Sequence, residues 1–86
     1  MAYRPNRQEL ETPELPPELA PLLETIAERV HDTWAALRFD GGWTCGPQRD
    51  DRTKQHPSLV AFSELPEDEK EIDRRTAETA LRAVLA

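Results

Sequence analysis

His31, Trp34 and Arg38 lie three and four residues apart. On a helix, that spacing puts an indole, a guanidinium and an imidazole along one edge. Together they can hold a flat anionic ligand. Trp34 stacks on a planar group, Arg38 pairs with a phosphate or carboxylate, preferably through two parallel N–H bonds, and His31 donates or accepts at the rim. The same spacing also suits a plain amphipathic helix, with Trp34 as packing, Arg38 in solvent and His31 as a hydrogen-bonded interior ring. Spacing does not choose between the two.

A second set of cations follows in one loop: Arg49, Arg52, Lys54 and His56, with Asp50 and Asp51 between them. Read sharply, these cations share an anion site with Arg38; read plainly, they and the aspartates compensate one another in solvent. The turn Gly42-Trp43-Thr44-Cys45-Gly46-Pro47 carries a second indole, Trp43, which either pins the loop to the helices or joins the site. Cys45, His31 and His56 lack the paired spacing of a structural zinc site, so no metal is expected. A Cys45–His56 nucleophile pair would need an activated thiolate, and no nucleophile motif surrounds Cys45. No Walker-type or dinucleotide-binding glycine loop is present. The expectation is a protein without catalytic residues or cofactor.

These residues need elements to position them. Residues 1–16 hold Pro5, Pro13 and Pro16 among polar side chains and read as an extended arm. From Pro17 to Arg38 apolar residues recur at helical steps: Leu19, Leu22, Leu23, Ile26, Val30 and Leu37 form one stripe, with Trp34 at its edge. Gly41-Gly42 supplies a helix stop. Residues 39–62 are irregular, punctuated by Gly41, Gly42, Gly46, Pro47 and Pro57, and a loop of that length in a small domain is often functional. Leu59 to Phe62 reads as a short extended segment tucked into the core. After Pro66, the acidic start Glu67-Asp68-Glu69 opens a second helix to about residue 85. Ile72, Thr76, Ala80 and Val84 are expected on one side, with Asp73 as a candidate cap for a second segment. The expected fold is mainly α, with two principal helices at about 17–38 and 66–85 joined by a long structured loop. It is one domain over residues 17–86 preceded by the arm.

Composition narrows the function classes. With 86 residues, 37% of them apolar and 33% charged, the chain makes one small domain that buries roughly 60% of its unfolded surface. Seventeen acidic against 11 basic residues give a net charge of −6, which does not attract a nucleic-acid duplex. One Cys excludes an intrachain disulfide. No signal peptide and no membrane-length apolar run is expected, so the expected setting is cytoplasmic. Two helices and one loop make a thin core, and a homodimer would add the missing burial.

The string His31-x-x-Trp34, Arg38, Gly42-Trp43-Thr44, Gly46-Pro47, Asp50-Asp51, Lys54, His56-Pro57, Leu59-Val60, Leu65-Pro66, Glu69-Lys70, Asp73-Arg74 and Leu81…Leu85 resembles the RyR domain, the repeat of ryanodine receptors that is also found in small prokaryotic and phage proteins. The resemblance covers residues 3–86. Two positions depart from the pattern: Cys45 stands where the family usually has Tyr, and Ala61-Phe62 where Pro-Tyr is common. The resemblance implies a mostly helical, non-enzymatic fold. Receptor repeats occur in pairs about a pseudo-two-fold axis, which implies a homodimer for a single repeat. Paired repeats can hold adenine nucleotide between tryptophans, so Trp34 of each copy, flanked by His31 and Arg38, is the matching position. Prokaryotic members, linked to defence systems, imply sensing of a nucleotide-derived signal. The alternative is a protein-interaction or dimerisation module with no small ligand.

Overall fold

A computed structural model describes residues 2–86. The arm is not extended throughout. Asn6 accepts a hydrogen bond from the Glu9 amide and caps a single helical turn, α1, Arg7–Leu10. The arm lies against the last helix, where the Arg82 guanidinium donates to the carbonyls of Glu11 and Pro13. A 3₁₀ turn, Pro17–Leu19, leads into α2, Ala20–Asp40, with Pro21 in its first turn where no amide hydrogen is needed. Two-residue strands β1 (Thr44–Cys45) and β2 (Gln55–His56) pair in parallel, Thr44 with Gln55 and Cys45 with His56. A second 3₁₀ turn, Phe62–Glu64, precedes α3, Glu67–Leu85.

The end of α2 follows from backbone chemistry. The Trp43 amide reaches back to the Arg38 carbonyl at 3.0 Å and the Gly42 amide to that of Phe39 at 3.0 Å. Gly42 takes the positive φ of +86° that this closure requires. Trp43 is thereby placed over the side chain of Arg38. Farther along the loop, Gly46 is fixed by contact, since a Cβ there would meet the Gln55 side chain at 2.6 Å.

The core sits where α2, α3 and the segment between them meet. Ala27, Phe62, Leu65 and Ala77 form its buried centre, with Leu23, Ile26 and Val60 packed around it. The buried positions of α2 are Ala27, His31 and Ala35, an i, i+4, i+8 line. The helix is therefore rolled relative to its apolar stripe, which leaves Leu37 67% exposed. Alanines at the crossing let α3 approach closely, and Leu side chains there would hold it away. The same roll applies to α3. It turns Ala77 inward, and Ile72 and Val84 are 65% and 80% exposed on the outer side. Ile72, Thr76, Ala80 and Val84, expected together on one side, do share a face, and it is the exposed one. α3 is also one unbroken helix, so Asp73 caps nothing. The loop is more regular than its composition implies. Asp50 and Gln55 exchange two backbone hydrogen bonds, and the Asp50 carboxylate accepts from the amides of Arg52 and Thr53. The Leu59–Phe62 stretch enters the core through Leu59 and Phe62, with the latter already in the 3₁₀ turn.

Candidate functional site

α2 presents His31 and Trp34 toward the segment carrying His56 and Ser58 and toward the first turns of α3. Between them lies a hollow of about 260 Å³, lined by His31, Trp34, His56, Ser58, Leu65, Glu69, Ile72 and Asp73. His31 is only 4% exposed. Its Nε2 lies 2.7 Å from the Val60 carbonyl oxygen. A carbonyl only accepts, so Nε2 carries the hydrogen. Nδ1 then faces Asp73, whose carboxylate oxygen is 3.8 Å away. The Trp34 and His31 ring centroids are 5.8 Å apart, and the His56 ring meets Trp34 edge-on at 5.0 Å.

Hydrogen bonds set the polarity of the lining. The Ser58 amide donates to His56 Nδ1, so Nε2–H is the donor of the neutral ring. The Ser58 hydroxyl donates to Glu69 at 2.7 Å. Burial pushes the Asp73 carboxyl above its usual range; His31 nearby opposes that shift and Glu69 adds to it. Of the α3 acids outside the hollow, Glu67 and Glu71 have cationic partners, and Asp68 and Glu78 have none among the described residues. Glu67 pairs with Lys70 and Arg74, and Glu71 with Arg74 and Arg75. Among the described residues, Glu69 and Asp73 pair with no Lys or Arg.

Of the residues singled out in the sequence, the structure gathers His31, Trp34 and His56 around this hollow. Arg38 lies one turn beyond Trp34, its guanidinium 5.7 Å from the Trp34 ring centroid and 4.7 Å from that of Trp43. It makes no ion pair among the described residues. The other loop cations, Arg49, Arg52 and Lys54, lie outside the hollow's lining. Arg49 pairs with Asp51 at 2.8 Å, which raises the guanidinium and holds the carboxyl low. The Lys54 ammonium donates to the Gly41 carbonyl at the end of α2. Arg52 is exposed and outside the hollow's lining. Cys45 is exposed, and among the described residues no side-chain hydrogen bond joins its thiol to the His56 ring. No three His, Cys, Asp or Glu side chains form a metal-binding group among the described residues.

The residues that sequence reasoning did not place at the site are Ser58, Leu65, Glu69, Ile72 and Asp73. Glu69 and Asp73 are spaced i, i+4 on α3, which puts them on one helical face. That signal was present, but an acidic helix start carries many such pairs. Only contact with α2 distinguishes these two from Glu67 and Glu71.

A family model for the RyR domain matches residues 3–86, virtually the whole chain. This chain belongs to the RyR domain family. The mainly helical fold implied by the resemblance is the fold observed, with the RyR loop between α2 and α3 organised by two short parallel strands. No helix of this RyR domain is long and apolar enough to cross a membrane among the described residues.

Proposed function

We propose that this RyR domain is a non-enzymatic ligand-binding module that takes a nucleotide or nucleotide-derived anion. Its flat ring enters the hollow against Trp34, and its anionic part reaches toward Arg38. The observation that carries the reading is Trp34 itself, half-buried as one wall of a hollow beside His31 and His56. Arg38, held between two indoles and without a carboxylate partner among the described residues, supports the anionic part. The aromatic wall supports a planar ring, since stacking tolerates many bases and contributes about 1–3 kcal/mol per base.

Calorimetry with adenosine and guanosine nucleotides, ADP-ribose and cyclic nucleotides tests the proposal. At least one is expected to bind, more weakly with rising salt, and Trp34→Ala is expected to abolish binding while Trp34→Phe retains part of it. Silence from every ligand at millimolar concentration, or unchanged binding by folded Trp34→Ala, overturns it.

A second reading, a dimerisation or protein-interaction module, is favoured by one observation. Ile72, Arg75, Thr76, Thr79, Ala80 and Ala83 line a shallow, largely apolar surface along α3 beside the hollow. Burial of that face against a second copy would add apolar area that the thin core lacks. Sedimentation showing a monomer at high concentration, with ligand and without it, counts against this reading.

A further inference from the structure

The hollow's hydrogen-bonding inventory is weighted toward acceptors, with the His56 Nε2–H as a donor among them. His31 Nε2–H is committed to Val60 at 2.7 Å, so Nδ1 is the ring nitrogen left to a ligand, and it is an acceptor in the tautomer that carries hydrogen on Nε2 alone. Nδ1 makes no hydrogen bond, and Asp73 at 3.8 Å is beyond that reach. No sealed side-chain nitrogen or oxygen lacks a partner among the described residues, so the unbonded Nδ1 opens on the hollow. Asp73 accepts no hydrogen bond among the described residues, and Glu69 uses one oxygen for the Ser58 hydroxyl and keeps the other. A nine-tenths-buried imidazole and two carboxylates thus offer acceptors to the space beside Trp34. The walls formed by Trp34, Leu65 and Ile72 suit a flat ring.

From this we infer that the hollow selects a guanine-type base, recognised through its adjacent ring N–H and exocyclic amine by Asp73, with Glu69 and His31 Nδ1 as neighbouring acceptors. The inference rests on the ligand-binding reading above and specifies which ring it takes. Two parallel N–H donors match a carboxylate bidentately. Hypoxanthine presents the ring N–H without the amine. The corresponding edge of adenine sets an amine beside a bare nitrogen, whose lone pair would face the carboxylate. A buried acceptor left unpaired, or opposed by a second lone pair, penalises the wrong base more than a good contact rewards the right one.

The test is the affinity of GMP, IMP and AMP for the full chain and for Asp73→Asn, whose fold is checked by circular dichroism. GMP is expected to bind about tenfold or more tightly than IMP or AMP. Asp73→Asn is expected to weaken GMP about tenfold and to tighten AMP, because the amide NH2 can donate to the adenine ring nitrogen that a carboxylate oxygen repels. AMP binding as tightly as GMP overturns this inference and leaves the ligand-binding reading standing. Equal loss of GMP and AMP in folded Asp73→Asn also overturns it, because Asp73 then shapes the hollow without reading the base. No binding by any of the three overturns this inference, and silence from the wider nucleotide panel as well overturns both.

Discussion

The His31 ring bonds the Val60 carbonyl across 29 positions of sequence, at 2.7 Å, and so ties the middle of α2 to the segment that feeds α3. This single bond sets the ring's tautomer, anchors the segment and leaves Nδ1 facing the hollow. His31→Ala removes the donor, strands the Val60 carbonyl and opens a void in the core. The expected loss is about 2–4 kcal/mol of unfolding free energy, a large share of what so small a domain possesses. Urea unfolding measures it. A loss under about 0.5 kcal/mol would mean that the bond contributes little to the fold.

Ala27 and Ala77 are both fully buried at the α2–α3 crossing. Enlarging either forces the helices apart. Ala77→Leu is expected to destabilise by about 1–3 kcal/mol, although it adds apolar surface. Thermal melts of Ala77→Leu beside Ala80→Leu on the exposed face make the comparison. Only the first is expected to melt lower; if both behave alike, the inward face of α3 has been misassigned.

Arg74 links α3 to α2 through two bonds to Glu24, at 2.8 and 3.0 Å, and also reaches Glu67. Its hydrogen bonds hold the Glu24 carboxyl below the ordinary glutamate range, and with Lys70 they do the same for Glu67. A carboxyl whose pKa is lower folded than unfolded stabilises the fold above its unfolded pKa. That contribution disappears as pH falls through the folded value. Arg74→Gln is therefore expected to lower the melting temperature at pH 7 and low salt. The gap to the parent should close below the glutamate range and shrink in about 1 M salt, where the Debye length is near 3 Å. A gap that persists unchanged at pH 2 and in high salt would assign the effect to packing of the Arg74 stem instead.

Much of the architecture was legible along the chain. Helical periodicity bracketed by Pro17 and Gly41-Gly42, and an acidic start after Pro66, place both long helices within a few residues of their observed ends. The short helix at Arg7–Leu10 was not legible, since one turn carries too few residues for a period and rests on a single Asn6 cap. The loop's strands were hidden for a related reason: two-residue strands have no alternation to read. Arg49 and Lys54, candidates for an anion site, are taken by Asp51 and by the Gly41 carbonyl, and such local bonds leave no mark in spacing.

By itself, the order of residues determined the family, the two helices, and the flank that joins His31, Trp34 and Arg38. The roll of each helix was decided only in three dimensions. Apolar count favours the leucine stripe of α2 and the Ile72–Val84 side of α3, yet close packing favours the alanines, and close packing prevails because two helices approach only where side chains are small. That roll brings Glu69 and Asp73 to Trp34, so the acceptor-rich character of the hollow is a property of the contact between helices and of neither helix alone.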